Sequence, residues 1–346
     1  MKTKLLITAL TAGIIAACGS DNVNFVVVDT PPPPVETIEI QAFDGPVTLM
    51  DTVANCGSTS YNGTPTDING YSYFSSNTAG DVVNTPQNCS YTFTASTESV
   101  DAANGKSMAG AVYKAPIGMF AVGQPKAASP VTTLLTNILG DQPYDDSTAS
   151  ELIEDLGLGT ALSEAGVSVI EFLSNPEESI ETIKALATPG SYSRVVTVTQ
   201  ALHDVLIAAP DGATPEQMVT VTNNATAVVL RDYPNFPESN GEQVYFDIKS
   251  ALVTPTLPGK TLFDEVAEKL WTPEEVNAVG GVGVSPAKPC DENSGTAGCQ
   301  VQETPECQAP AVWDEDRLEC MLPDGGLGTG SGSGSGTGGS GGGTGG

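Results

Sequence analysis

Basic residues are scarce: 13 Lys and Arg stand against 42 Asp and Glu in 346 residues, for a net charge of -29 at neutral pH. Nucleic acid is thereby excluded as a partner, because phosphate binding needs a basic patch. The chain holds one histidine, His203. Nucleophilic catalysis by Ser or Cys usually needs a neighbouring base, most often His. His203 lies in Ala201-Leu202-His203-Asp204, on a helical pattern where a surface or semi-buried role is expected. No G-x-S-x-G, H-E-x-x-H, P-loop or dinucleotide signature occurs ahead of the glycine-rich C-terminus. There is no C-x-x-C pair and no calcium-loop spacing, so neither a metal nor any other cofactor is expected. These gaps argue against an enzyme. A hydrolase built on two carboxylates placed together only in space is the one catalytic class such a search does not reach.

Long apolar runs are also missing. No segment has the ~20 apolar residues of a spanning helix. The N-terminus has a short one instead: a basic head, Met1-Lys2-Thr3-Lys4, then Leu5 to Ile15, then Ala16-Ala17-Cys18. Ile15-Ala16-Ala17-Cys18 resembles the signal of bacterial lipoproteins. The resemblance implies that residues 1–17 are removed and that Cys18 becomes an acylated first residue. Gly19, rather than Asp, follows the cysteine, and this resembles Gram-negative cargo passed to the outer membrane. The expected location is therefore the outer membrane, on its periplasmic or its surface face. The membrane is a partner through lipid on Cys18, since two or more acyl chains hold firmly at ~0.8 kcal/mol per buried methylene.

Seven cysteines look odd for an exported chain until Cys18 is assigned to lipid. Cys56, Cys89, Cys290, Cys299, Cys307 and Cys320 remain. An even set in an oxidising compartment reads as disulfides. Their clustering pairs Cys56 with Cys89 and leaves two bonds within residues 290–320, where several connectivities are open.

Composition divides the mature chain. Residues 18–35 form a lipidated tether with the spacer Pro31-Pro32-Pro33-Pro34, which favours a stiff polyproline II segment. Residues 36–128 alternate with period two: Ile38, Ile40 and Ala42, later Tyr91, Phe93 and Ala95, between turn-rich stretches such as Asn62-Gly63-Thr64-Pro65. The pattern predicts an antiparallel β-sandwich.

Asp44-Gly45-Pro46-Val47 and Thr66-Asp67-Ile68-Asn69-Gly70-Tyr71-Ser72-Tyr73-Phe74 resemble the transthyretin-like, carboxypeptidase-regulatory modules of bacterial surface proteins. The likeness covers about residues 36–120. It implies a structural or binding module in which these residues make turns and strands. The sequence departs from the pattern at Leu49-Met50-Asp51, where a Gly-Ala pair normally leads into the next strand, and in its Cys pair. Ser129-Pro130-Val131-Thr132-Thr133-Leu134 is similar to the S-P-[LIV]-T-T-L segment that opens a helical region in bacterial surface lipoproteins and large adhesins.

The residues agree with a helical start there: Ser129 is an N-cap, Pro130 the first helical residue, and Gly140 the stop. Asn175-Pro176, Thr214-Pro215 and Thr272-Pro273, each followed by acid, repeat the device. Leu134, Leu135, Ile138 and Leu139 are expected to share an apolar face. So are Ile180, Ile183, Leu186 and Ala187, and a third helix is expected to carry Leu262, Val266 and Leu270. Residues 129–280 are thus an irregular helical domain. Residues 281–323 form a small Cys-rich segment held by disulfides, and residues 324–346 a disordered tail of Gly, Ser and Thr.

The expected fold is α+β and multidomain. The expected function is a lipid-anchored binding or structural module of adhesin type, with a glycan or an envelope protein as ligand. The alternative is an accessory of envelope assembly or secretion.

Overall fold

A computed structural model describes residues 36–291, 296–299, 312–314 and 319–321. Cys18, the signal, the tether, Cys307 and the Gly-rich tail lie outside the described residues, as does the side chain of Cys320. The architecture is mixed α+β.

The N-terminal half contains β1 (Thr37–Ala42), β2 (Met50–Cys56), β3 (Thr59–Asn62), β4 (Tyr71–Ser75), a short helix α1 (Gly80–Asn84), β5 (Cys89–Ala95), β6 (Val112–Ala115) and β7 (Ala127–Ala128). They form two sheets, ordered β4-β1-β7 and β3-β2-β5-β6. The alternation works as expected at its centre: Ile40 and Ala42 are fully buried, as are Phe74, Tyr91 and Phe93. Phe74 of one sheet meets Tyr91 of the other edge-on, with ring centroids 6.4 Å apart. The pairing is not wholly antiparallel, because β7 runs parallel to β1. The chain between them passes through the other sheet, and such a long crossover is what a parallel pair requires.

The T-D-I-N-G segment is a bolt for this half. Thr66 Oγ1 donates to the Val47 carbonyl at 2.7 Å and accepts from the Met50 amide at 2.8 Å. Asp67 Oδ1 accepts from the amides of Asn69 and Tyr71, each at 2.9 Å. Gly70 has φ +79, and a Cβ there would lie 2.7 Å from the Ala42 carbonyl, so only glycine fits. Leu49 carries φ +55. A leucine does there what glycine does without strain.

Helices follow: α2 (Pro130–Leu139), α3 (Asp146–Asp155), α4 (Gly159–Ala165), α5 (Val169–Ser174), α6 (Pro176–Leu186), α7 (Pro189–Ala208) and α8 (Pro215–Asp232). Ser129 and Thr214 cap their helices as expected, each with a reciprocal capping box. Asn175 sits at the N-cap of α6, but its side chain makes no cap bond and donates instead to Glu178 Oε2 at 2.6 Å. Beyond α8 the region expected to be helical also carries strands. These are β8 (Glu238–Ser239), β9 (Glu242–Phe246), helix α9 (Lys249–Leu252), β10 (Pro255–Leu257), β11 (Lys260–Thr261), helices α10 (Leu262–Val266) and α11 (Pro273–Ala278), and β12 (Val284–Pro286).

β12 lies past the expected boundary at residue 280 and pairs with β9. The Lys288 and Cys290 amides then donate to the carbonyls of Asn104 and Ala102, and Cys290 is joined to Cys299. The expected start of the Cys-rich segment is thus stitched onto the β-half by backbone hydrogen bonds. β13 (Val312–Asp314) and β14 (Glu319–Met321) pair with each other.

Every described residue belongs to one compact unit, and the expected boundary at 128/129 falls inside it. One apolar cluster runs from Ile40 and Phe93 through Leu134, Leu152 and Ile183 to Leu202. A second gathers Ala201, Val205, Val229, Phe236, Phe246 and Phe263. Helix α7 supplies both, which is why it is buried nearly all round. Three expected core positions differ: Leu186 and Leu270 are 65 % and 61 % exposed, and Ile138 of α2 is 39 % exposed. Leu186 ends its helix, and Leu270 lies beyond the end of α10.

Candidate functional site

Period two gives the sheet β4-β1-β7 two unlike faces. Ile40 and Phe74 point to the core; Glu39, Gln41, Tyr71 and Tyr73 take the other face, where Glu39 pairs across the strands with Tyr73 and Gln41 with Tyr71. This second face is the floor of a groove of about 790 Å³. Its walls come from residues 122–126 and from the junction of α5 and α6, with Ser174, Asn175 and Glu178.

The polar groups are held in place. Gln41 Nε2 donates to Glu177 Oε2 at 2.7 Å and to the Asn69 carbonyl at 3.1 Å. The Tyr73 hydroxyl donates to Asp67 Oδ2 at 3.0 Å. Lys126 Nζ donates to the Gln124 carbonyl at 2.7 Å. Partial burial, then the nearby carboxylates Glu177, Glu39 and Asp67, raise the Tyr71 phenol; burial followed by Asp67 raises that of Tyr73. Both rings are therefore neutral donors. Burial lowers the Lys126 ammonium. The groove combines two half-exposed phenols with fixed amides and carboxylates, so aromatic faces stand beside hydrogen-bond donors and acceptors.

A second constellation lies inside the molecule. Its members are Asp44 after β1, Asp101 and Lys106 in the loop between β5 and β6, Tyr113 on β6, His203 and Asp204 on α7, and Lys249 on α9. Lys106 Nζ lies 2.7 Å from Asp204 Oδ1, with both side chains at most 1 % exposed. The Tyr113 hydroxyl and His203 Nδ1 share a hydrogen bond of 2.8 Å. His203 Nδ1 is 3.7 Å from Asp44 Oδ2, and Lys249 Nζ is 4.0 Å from Asp204 Oδ1. Asp204 Oδ2 accepts from the Ile248 amide at 2.8 Å. Lys106 also stands over the Phe246 ring, 5.5 Å from its centroid.

Burial sets the protonation states. It pushes His203 well below its ordinary pKa, helped by Lys106 and Lys249, so the ring is neutral. Burial raises Asp44 and Asp204, and it raises Asp101 to about 7, against the lowering effect of the Ala103 amide, Lys106 and Asn104. His203 is thus a fully buried residue, not the surface or semi-buried one expected. Its hydrogen-bond partner is a phenol also held neutral by burial, and no serine, threonine or cysteine is hydrogen-bonded to it among the described residues.

Of the sequence-predicted site residues, Cys56 and Cys89 are bonded to each other at directly opposed positions of β2 and β5. Cys290 and Cys299 form the second described disulfide. Among the described residues no cluster of three or more His, Cys, Asp and Glu has the arrangement of a metal site. Neither the groove nor the buried charges had been singled out. No family model matches the chain, and no curated protein or solved structure matches it.

Proposed function

We propose that the chain is a lipid-anchored binding module of a bacterial outer membrane, held through acylated Cys18 and recognising a carbohydrate in the groove over β4-β1-β7. The observation that carries the reading is the cross-strand set Glu39–Tyr73 and Gln41–Tyr71 on an open sheet face. Sugar rings offer apolar faces to tyrosine and hydroxyls to carboxylates and amides, and two tyrosines on alternate residues of one strand meet neighbouring parts of a chain-like ligand.

The anchor is supported by Ile15-Ala16-Ala17-Cys18 and by the four-proline spacer that would lift the groove off the lipid. No helix among the described residues is long and apolar enough to cross a membrane. We read residues 36–128 as a β-sandwich of the transthyretin-like kind. Support comes from the two sheets sharing one core through Phe74 and Tyr91.

The test has two parts. Labelling with a fatty-acid analogue should mark the wild type and not Cys18→Ser. A glycan array probed with the mature chain should give hits that weaken at least tenfold in Tyr73→Ala. An array without hits, together with a stoichiometric protein partner in envelope pull-downs, would replace this reading by the accessory one.

A further inference from the structure

The buried pair of Lys106 and Asp204 differs from the ion pairs on the surface. Lys260 Nζ, for example, donates an aligned hydrogen bond to Glu268 Oε1 at 2.9 Å. Lys106 Nζ stands closer to its carboxylate, 2.7 Å from Asp204 Oδ1, with both side chains at most 1 % exposed. Yet these two atoms are not aligned as a hydrogen bond, and neither has a hydrogen-bond partner among the described residues. A buried ion pair repays its lost hydration only when good hydrogen bonds accompany it. An amine pressed against a carboxyl away from water is also a pair of reactants, because held proximity turns a bimolecular step into an effectively unimolecular one. The carboxyl carbon lies one bond beyond Oδ1.

Both oxygens of Asp204 are equipped for such a step. Oδ2 accepts from the Ile248 amide at 2.8 Å, a fixed donor where negative charge would develop during attack on the carbon. Oδ1 lies 3.8 Å from His203 Nε2, which has no hydrogen-bond partner of its own. The other ring nitrogen, Nδ1, shares its 2.8 Å hydrogen bond with the Tyr113 hydroxyl and lies 3.7 Å from Asp44 Oδ2. The imidazole is thus held at one nitrogen and open at the other, where it can take a proton from one atom and return it to a neighbour. Burial keeps this ring neutral, and burial raises the Asp204 carboxyl, which favours passing an ammonium proton to it. Lys249 is the other ammonium nearby, but it lies 4.0 Å from Oδ1 and is engaged with Asp247 at 3.2 Å and the Ser107 carbonyl at 2.9 Å. Lys106 has no such engagement.

We propose that the folded chain joins Lys106 to Asp204 through an isopeptide bond. The ammonium first passes a proton to Oδ1; Nζ then attacks Cγ, and the charge that gathers on Oδ2 is held by the Ile248 amide. His203 Nε2 takes a proton from the attached nitrogen and gives it to Oδ1. The carbonyl re-forms at Oδ2 as the Cγ–Oδ1 bond breaks, and Oδ1 leaves as water. Of the three ammonium protons, two depart with that water and one stays on the amide nitrogen, so no oxidant, reductant or activating group is needed. The ion pair is the state before the bond, and its stability is set by the charges. The amide that follows is uncharged and fastens the loop between β5 and β6 to α7 in a way that, unlike the two disulfides, no reductant opens. The inference depends on neither the anchor nor the groove.

The experiment is mass spectrometry of the full chain after reduction, denaturation and tryptic digestion. A branched peptide joining the residues around Lys106 to those around Asp204 is expected, lighter than its two parts by one water. Cleavage after Lys106 should be lost with it, because an acylated lysine is no longer a tryptic site. Lys106→Arg, which keeps the cation without the amine, and Asp204→Ala should each lack the branch. In pulse-labelled chains followed over time, His203→Gln should form the bond at least about tenfold more slowly, since a positioned acid–base group contributes roughly 10²–10⁴ in rate. A wild-type chain that is unbranched and cleaved after Lys106, a branch at Lys249 instead, or His203→Gln bonding at the wild-type rate would overturn the proposal. The wild-type digest needs no substitution, so it decides should a variant fail to fold.

Discussion

Replacing Lys106 with methionine tests whether the buried charges act as one network. Lys106 is 1 % exposed, and its ammonium lies 2.7 Å from Asp204 Oδ1, itself fully buried. It is also the cation that lowers the carboxyls of Asp44, Asp101 and Asp204. Methionine has nearly the same length, so little cavity is left and the change is electrostatic. Removing one partner of a buried pair leaves an uncompensated charge and costs about 3–5 kcal/mol; the contact with Phe246 adds up to ~2 kcal/mol when desolvated. Against a typical total stability of about 5–15 kcal/mol, Lys106→Met should be severely destabilised at pH 7.

The assay is urea unfolding at pH 7 and pH 5. Without Lys106, the folded-state pKa of Asp204 rises further above its unfolded value. A raised folded pKa contributes stability that is lost as pH rises, so the deficit of the variant should shrink on acidification. The double variant Lys106→Met/Asp204→Asn removes both charges while its side-chain carbonyl can still accept from the Ile248 amide, and should regain most of the loss. A deficit below 1 kcal/mol at pH 7, or one as large in the double variant as in the single, would refute the network.

Removing the β2–β5 disulfide as Cys56→Ala/Cys89→Ala should cost about 4 kcal/mol by chain entropy, from the 33-residue separation of its cysteines; guanidinium unfolding with and without reductant measures it. Thr66→Val should cost about 2–3 kcal/mol, because the Met50 amide and the Val47 carbonyl both lose a buried partner; thermal unfolding reads it. Asp101→Asn should alter the pH profile: with its carboxyl raised to about 7, wild-type Asp101 contributes stability that is full below about pH 4 and lost by about pH 7, worth up to ~4 kcal/mol, and the variant should lack that slope. His203, with its lowered pKa, works in the opposite sense as pH falls below about 6.5, so the comparison is made as variant against wild type at each pH.

Local chemistry in the chain was legible and contact partners were not. Ser129, Thr214 and Thr272 cap helices because the signal sits within four residues: a hydroxyl before Pro, closed three positions on by Thr132, Gln217 or Glu275. The Cys56–Cys89 bond followed from counting, once one cysteine of seven was set aside. The groove was hidden because its floor and wall join residues far apart: Gln41 meets Glu177, 136 positions away. Leu186 and Leu270 were misplaced for the related reason that periodicity identifies a face without saying what covers it, or whether the helix lasts that long.

The buried charges were missed because a lysine in Asn104-Gly105-Lys106-Ser107 has the composition of an exposed turn, and residue type says little about burial when a partner arrives from another element. Yet α7 carried a usable sign. Across Pro189–Ala208 the only fully charged side chains are Arg194 and Asp204, too few for a helix with one wet face. A twenty-residue helix so poor in charge is covered all round, and an aspartate in its last turns must then be met by a cation from elsewhere. Lys106 is that cation. The same reasoning explains why the β-half and the helices share a core: α7 presents Val198 and Leu202 to one cluster, Ala201 and Val205 to the other, and His203 and Asp204 to the charged loop from the sheets.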